Sequence, residues 1–342
     1  MKLIHAEMDN QHLIDWLLKG DISIQYQVHR DLLGDDCKDL QARILEEGWG
    51  KKFLSKRKLN GHWGVSFYQP KWISTHYILL DLRNLNPNPE HTLVKATIKM
   101  VLDDGKAEDG GIPLGPSTMK HSDICVNGMF LNYASYFRID EKKLHSVVDS
   151  ILNEVMPDGG YNCMSVRSGA RHSSLHSTIS VLEGLYEFQK TGSSYRVKEI
   201  QKARSDAQEF ILIHKLFMSD KTGEVIKKEF LNMPYPCRWK YNVLRAMDYF
   251  QYANIPWDGR MDAAIKLILV KQNKDGRWNM NAAHPGEVHF VMEEAGKPSR
   301  WNTLRALRVL KYYSNSPSAT NTKDLFTSGS PGNSSIVVRP SL

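Results

Sequence analysis

Five basic residues fall near the predicted starts of helices, where a chain can bind an anion. They are Lys120, Arg171, Arg238, Lys240 and Arg300. A helix N-terminus attracts negative charge through its unpaired backbone N–H groups, and side-chain cations add to that attraction. The pattern predicts a ligand that carries a diphosphate or a carboxylate group.

Aromatic residues recur at the turns and helix starts. They are Trp63, Trp72, Tyr161, Trp239, Trp278 and Trp301. A wall of such rings could stabilise a carbocation or hold a sugar ring. The rings could equally join neighbouring helical hairpins. We favour the joining role for Trp63 and Trp278, and leave both roles open for Trp239 and Trp301. Tyr161 is kept as a candidate ligand-binding residue.

Four arginines occupy one register of the predicted helices. They are Arg30, Arg83, Arg245 and Arg305. Residues in one register of stacked repeats face the same way, so the four could form a ring of cations. They could also pair with turn carboxylates between repeats, and the sequence leaves both alternatives open.

A repeat of about fifty residues organises the chain. Its turns centre on Gly61, Gly110, Gly159, Gly223 and Gly276, with spacings of 49, 49, 64 and 53 residues. Each turn leads into an amphipathic helix, and long alternating β-type runs are nearly absent. A fixed period of this length predicts stacked copies of one supersecondary unit.

The helical pattern predicts six hairpins and an all-α fold. The predicted inner helices are 22–34, 74–86, 123–137, 174–190, 238–253 and 300–313, and the outer ones are 10–19, 36–48, 92–104, 142–156, 195–216 and 259–272. We expect one domain over residues 1–313, an α/α toroid whose inner helices surround a central cavity. Residues 314–342 are rich in Ser, Asn, Pro and Gly, which predicts a disordered tail.

Composition restricts the class of protein. The chain has 342 residues, 41% of them hydrophobic, a net charge of +7 and four scattered cysteines. No apolar run is long enough for a transmembrane helix, and the cysteine spacing is not that of a disulfide framework. We therefore expect a cytoplasmic protein with reduced thiols. No dense basic block with interleaved aromatics occurs, so nucleic acid is not an expected partner.

Residues 272–278 have the form Q-x-x-x-G-x-W. This segment resembles the repeat motif of the squalene and oxidosqualene cyclases, whose toroid also underlies the β subunits of protein prenyltransferases. The chain resembles small bacterial proteins described as squalene cyclase-like or prenyltransferase-like. The resemblance implies an α/α toroid over residues 10–313. The acidic D-x-D-D motif of class II cyclases is missing from the sequence, so a standard cyclase is not expected.

The prenyltransferase resemblance also implies a zinc site. Residues 120–125 match the K-x-x-D-x-C pattern, and a histidine follows one repeat later. The resemblance implies that Asp123, Cys125 and His176 are the zinc ligands. It also implies that Asp123 and His176 are catalytic. His76 shares the register of Cys125 and His176 and would be a fourth ligand or a proton-transfer group. The alternative is structural: Asp123 as a helix cap and Cys125 as a small buried apolar residue.

Three functions remain open at this stage. The first is an enzyme that acts on an isoprenoid or another amphiphile. Its substrate could carry a diphosphate group, and zinc could assist the reaction. The second is a non-catalytic ligand-binding protein or scaffold on the same fold. The third is a carbohydrate-active toroid enzyme. The expected partner is a small hydrophobic or anionic ligand in the cavity.

Overall fold

The computed structural model describes residues 11–115 and 118–314, and within them the chain is helical, with no β-sheet. The helices are 11–18 (α1), Ile22–Val28 (α2), Lys38–Arg43 (α3), Gly48–Leu54 (α4), Thr75–Leu85 (α5), Thr92–Asp103 (α6), Ile124–Tyr136 (α7), His145–Asn153 (α8), Met164–Ser168 (α9), Leu175–Gln189 (α10), Val197–Ile213 (α11), Val243–Tyr252 (α12), Asp262–Val270 (α13) and Arg300–Ser314 (α14). A π-helical turn, His29–Leu33, continues α2. Short 3₁₀ turns lie at Lys71–Ile73, Glu141–Leu144, Lys228–Leu231 and Gly259–Met261. The all-α prediction is confirmed.

Each predicted inner and outer helix has a counterpart, but some boundaries differ. The predicted helix 238–253 begins only at Val243, because the Asn242 side chain accepts a hydrogen bond from the backbone N–H of Arg245 and caps the helix there. The predicted helix 36–48 ends at Arg43. The helices α4 and α9 were not predicted. From residue 315 onward, the predicted tail lies outside the described residues.

The inner helices contact one another in chain order. α5 packs on α7, α7 on α10, α12 on α14, and α14 on α2. The amide of Gln27 in α2 donates to the carbonyl of Asn84 in α5 at 3.1 Å, and Arg245 in α12 forms an ion pair with Glu183 in α10 at 2.6 Å. Each helix thus contacts the next, and the last contacts the first. This succession is what a toroid requires, and the toroid itself stays a prediction.

Two glycines set the distance between α7 and α10. A Cβ atom added at Gly184 would lie 2.2 Å from the carbonyl oxygen of Gly128, and one added at Gly128 would lie 2.5 Å from that of Ser180. Because real Cβ atoms do not approach so closely, a side chain at either position would push the two helices apart. The glycines therefore allow the two backbones to touch.

Two tryptophans join turns to the preceding helices. The indole N–H of Trp63 donates to the carbonyl of Phe53 at 2.6 Å, and that of Trp278 donates to the carbonyl of Ile268 at 2.7 Å. Both rings are fully buried, so the structure places Trp63 and Trp278 in the joining role. Gln272 completes the second turn by donating to the carbonyl of Gly276. Within the described part of the chain, no helix is long and apolar enough to cross a membrane.

Candidate functional site

A cavity of about 110 Å³ lies between the six inner helices, each of which contributes residues to its wall. The segment 235–238, just before α12, closes one side. Six of the lining residues are arginines: Arg30, Arg83, Arg238, Arg245, Arg305 and Arg308. Four of these six arginines occupy the shared register described above, so this register does bring arginines together.

Each cavity arginine also forms an ion pair, as the second alternative predicted, but the predicted partners were wrong. The partners lie on the inner helices rather than in the turns. The pairs are Arg30 with Asp31 (2.6 Å), Arg83 with Glu187 (2.7 Å), Arg238 with Asp81, Arg245 with Glu183 (2.6 Å), Arg305 with Asp248 (2.9 Å), and Arg308 with both Asp248 (2.5 Å) and Asp31 (2.9 Å). The pairs of Arg245, Arg305 and Arg308 connect neighbouring inner helices. Arg83 instead joins α5 to α10, and Arg238 joins the segment before α12 to α5.

The charges of this cluster do not cancel. Six guanidinium groups and the ammonium of Lys190, which pairs with Glu187 at 3.3 Å, face five carboxylates, so two cations are in excess. Burial raises the pKa of Asp81 to about 6, although the guanidinium of Arg238 opposes the shift. Protonation of Asp81 therefore removes a further negative charge in mildly acidic solution. A buried excess of positive charge is costly unless an anion offsets it.

Several N–H groups in the wall have no acceptor among the described residues. Arg238 uses only one terminal nitrogen, for Asp81, and the Nη2 of Arg305 and the Nη1 of Arg83 make no hydrogen bond there. By contrast, Arg245 uses all three of its nitrogens. Guanidinium is a donor only, and these nitrogens are not sealed off, so water or a ligand in the cavity can supply the acceptor atoms.

Two aromatic residues at the closed end of the cavity add neutral donors. The hydroxyl of Tyr235 and the indole N–H of Trp301 are buried and have no partner in the described part of the chain. Their rings stack with centroids 4.8 Å apart. Burial, reinforced by the nearby Asp81, raises the pKa of Tyr235 well above its ordinary value, so the phenol keeps its proton and can donate. These donors would suit the oxygen atoms of a bound anion.

The opposite end of the cavity is more open. The lining residues there, Asn84 and Tyr252, are half-buried and lie at the C-terminal ends of α5 and α12. The hydroxyl of Tyr252 donates to Glu187 at 3.0 Å and accepts from Lys190. The guanidinium of Arg83 lies 5.6 Å from the Tyr252 ring centroid. A ligand would enter past this polar rim towards Tyr235 and Trp301.

Most of the eight predicted ligand-binding residues lie outside the cavity. Arg238 and Trp301 line the cavity, whereas Lys120 and Arg171 are exposed and do not. Tyr161 is fully buried at its turn. Arg300 donates to the carbonyl of Trp16 at 3.1 Å and stacks on that ring. Trp239 and Lys240 are half-buried, with the lysine ammonium 5.7 Å from the indole centroid. Only two of the eight therefore border the cavity.

The predicted zinc ligands do not form a common site in the structure. The carboxylate of Asp123 binds the guanidinium of Arg167, and the Cys125 thiol is buried, with its pKa raised by the neighbouring Cys163 thiol and by burial. The Nδ1 atom of His176 accepts the backbone N–H of Tyr241 at 2.8 Å. Among residues 11–115 and 118–314, no three His, Cys, Asp or Glu side chains are arranged to hold a metal ion. The residues as placed do not fit zinc, and zinc stays a prediction from the resemblance.

The two histidines predicted to be catalytic, His76 and His176, are placed as neutral groups. His76 is fully buried, its Nδ1 lies 3.2 Å from the Tyr133 hydroxyl, and burial lowers its pKa to about 3. Burial, with help from nearby lysines and arginines, lowers the pKa of His176 to about 4. The pKa of Asp123 is raised by burial, against the effect of Arg167. Neither histidine borders the cavity, so a catalytic role there is not supported by its position.

Sequence reasoning missed the carboxylates and the neutral donors of the site. The missed residues are Asp31, Asp81, Glu183, Glu187, Asp248, Tyr235, Cys237 and Tyr252. One signal was available: Asp248 follows Arg245 by three residues, which puts both on one face of a helix. No model of a known protein family matches the chain, and a search of curated proteins also found no match.

Proposed function

We propose that the chain is an α/α toroid that binds a small anionic ligand in its arginine-lined cavity. The excess of positive charge, together with N–H groups that lack acceptors, carries this proposal. A carboxylate, phosphate or diphosphate supplies both the charge and the acceptor atoms. Its oxygens would meet Arg238, Arg305, Tyr235 and Trp301 at the closed end.

The size of the cavity bears on the nature of the ligand. Pockets for drug-sized ligands have volumes of roughly 300–1,000 Å³, whereas this cavity measures about 110 Å³. The cavity would accommodate an anionic head group, and the chain of an isoprenoid diphosphate would extend past Tyr252 through the open end. An enzyme acting on such a diphosphate would use the arginines to stabilise the departing diphosphate. A binding protein would use the same contacts without turnover.

The carbohydrate alternative receives less support from the geometry. A glycosidase needs two carboxyl groups that reach the sugar. The two carboxylates in the cavity lining, Glu183 and Asp248, are both held by arginines. We therefore favour the anionic ligand.

Calorimetric titration with inorganic diphosphate tests the proposal. We expect saturable binding by the wild type and much weaker binding by Arg238→Gln. Arg300→Gln is the matched control, because Arg300 lies against Trp16 rather than in the cavity. Asp81 can take up a proton when Arg238 is removed, so the variant is expected to fold. Equal binding by both variants, or no saturable binding by the wild type, would overturn the proposal.

A second titration separates the ligand classes. Dimethylallyl and farnesyl diphosphates are compared with inorganic diphosphate under the same conditions. Tighter binding of the prenyl esters supports an amphiphilic ligand, and release of diphosphate during incubation supports an enzyme. Equal affinities would restrict the proposal to the anionic group.

A further inference from the structure

The cavity wall contains one thiol, that of Cys237, which is buried beside the arginines. We propose that Cys237 is a nucleophile that attacks a small organic anion carrying a leaving group on carbon. The inference rests on the proposed anion-binding function, because that function brings the electrophile into the cavity.

Two N–H donors point at the sulfur of Cys237. Nη1 of Arg305 lies 3.4 Å from Sγ, and Nδ2 of Asn242 also lies 3.4 Å from it. The thiol itself donates to the carbonyl of Pro234 at 3.5 Å. A guanidinium and an amide N–H placed against the sulfur are typical of reactive rather than structural cysteines. Ordinary buried cysteines instead pack among apolar side chains.

The same guanidinium connects the sulfur to the anion site. While Nη1 of Arg305 contacts Sγ, its Nη2 has no acceptor among the described residues. An anion bound at Nη2 would therefore lie beside the sulfur. Tyr235 and Trp301 supply an independent indication of a ligand, because both are more than nine-tenths buried, line this cavity and keep a polar atom without a partner.

The chemical step is a substitution at carbon. An electron pair of the Cys237 sulfur forms a carbon–sulfur bond, and the leaving group departs with the electron pair of the bond that breaks. The thiol proton passes to water. Arg238 and Arg305 hold the anionic group during the step, and no oxidant or reductant is needed. The product is a thioether on Cys237.

Alkylation of the native full-length protein tests the inference. Iodoacetate is the anionic probe, and iodoacetamide is its neutral counterpart of nearly the same size. The rate of modification at each cysteine is followed by peptide mapping and mass spectrometry at low ionic strength. For Cys237, we expect the ratio of the iodoacetate rate to the iodoacetamide rate to be on the order of tenfold higher in the native protein than in guanidinium-denatured protein. The reason is that a positively charged cleft concentrates anions. Inorganic diphosphate should slow this labelling.

The outcomes separate the inference from the proposed function. If diphosphate binds the wild-type protein but Cys237 shows no preference for iodoacetate over its denatured reference, the inference is overturned and the proposed function stands. Labelling that diphosphate leaves unchanged also overturns the inference. If diphosphate does not bind at all, the proposed function is overturned, and the inference that rests on it is overturned too.

Discussion

Replacing Tyr235 with phenylalanine should stabilise the ligand-free protein and weaken anion binding at once. The hydroxyl of Tyr235 is buried without a partner in the described part of the chain, and it borders the cavity. Folding therefore removes this hydroxyl from water without compensation. A bound anion would supply the missing acceptor, so the same group costs stability in the free protein and contributes affinity in the complex.

The two effects have different sizes. A buried polar group without a hydrogen bond costs about 1–3 kcal/mol, so Tyr235→Phe should gain about 1 kcal/mol after a small loss of packing. For a domain of this size, that gain corresponds to a rise in Tm of about 2 °C. A hydrogen bond to a charged group contributes about 1.5–3 kcal/mol, so the Kd for diphosphate should rise on the order of tenfold to a hundredfold.

Tyr161 offers the matched control for this experiment. Its hydroxyl is also buried without a described partner, but it does not border the cavity. Tyr161→Phe should therefore raise the Tm similarly and leave the Kd unchanged. Thermal unfolding and calorimetric titration of the two variants measure both quantities. Loss of affinity in Tyr161→Phe but not in Tyr235→Phe would refute the reasoning and place the ligand near the predicted turn residues.

Four further predictions concern charge, the turns and metal. Anion binding should tighten as the pH falls through about 6. Burial raises the pKa of Asp81 to about 6, and protonation of this carboxylate removes a negative charge beside Arg238. Titrations of Asp81→Asn should show tight binding without this pH dependence. Asp248→Asn should lower the free energy of unfolding by about 3–5 kcal/mol in denaturant melts, because it leaves the buried guanidinium of Arg305 without a carboxylate and Arg308 with Asp31 alone. Trp278→Phe should lower it by about 1–3 kcal/mol through the lost hydrogen bond and leave the Kd for diphosphate unchanged. Elemental analysis of the purified protein tests the zinc prediction: stoichiometric zinc that Cys125→Ser loses would support it, and zinc absent from both proteins would contradict it.

The helices could be predicted because the sequence encodes them locally. A glycine turn followed by an apolar stripe specifies where a helix starts and which face it buries. Gly61 and Gly276 adopt left-handed backbone conformations at two of these turns, with φ of 89° and 76°. The start of α12 was wrong by five residues, because the decisive signal was the Asn242 cap rather than the apolar pattern.

The candidate site could be predicted only in part, for a different reason. The register identifies arginines on the inner faces, since that depends on spacing within each helix. The ion pairs depend instead on which helices meet: Arg83 and Glu187 are 104 residues apart, and Arg238 and Asp81 are 157 apart. Spacing within one helix contains no information about such partners. For the same reason, the resemblance suggested a grouping of Asp123, Cys125 and His176 that the packing does not produce.

The arginine cluster could be read as a device that only holds the helices together. On that reading, each guanidinium would resemble Arg245, whose three nitrogens all have protein acceptors. Arg83, Arg238 and Arg305 depart from this pattern, and all three line the cavity. These three arginines keep N–H groups that the cavity can reach, and an anion would give them charged acceptors, which supports the proposed anion binding over a purely structural role.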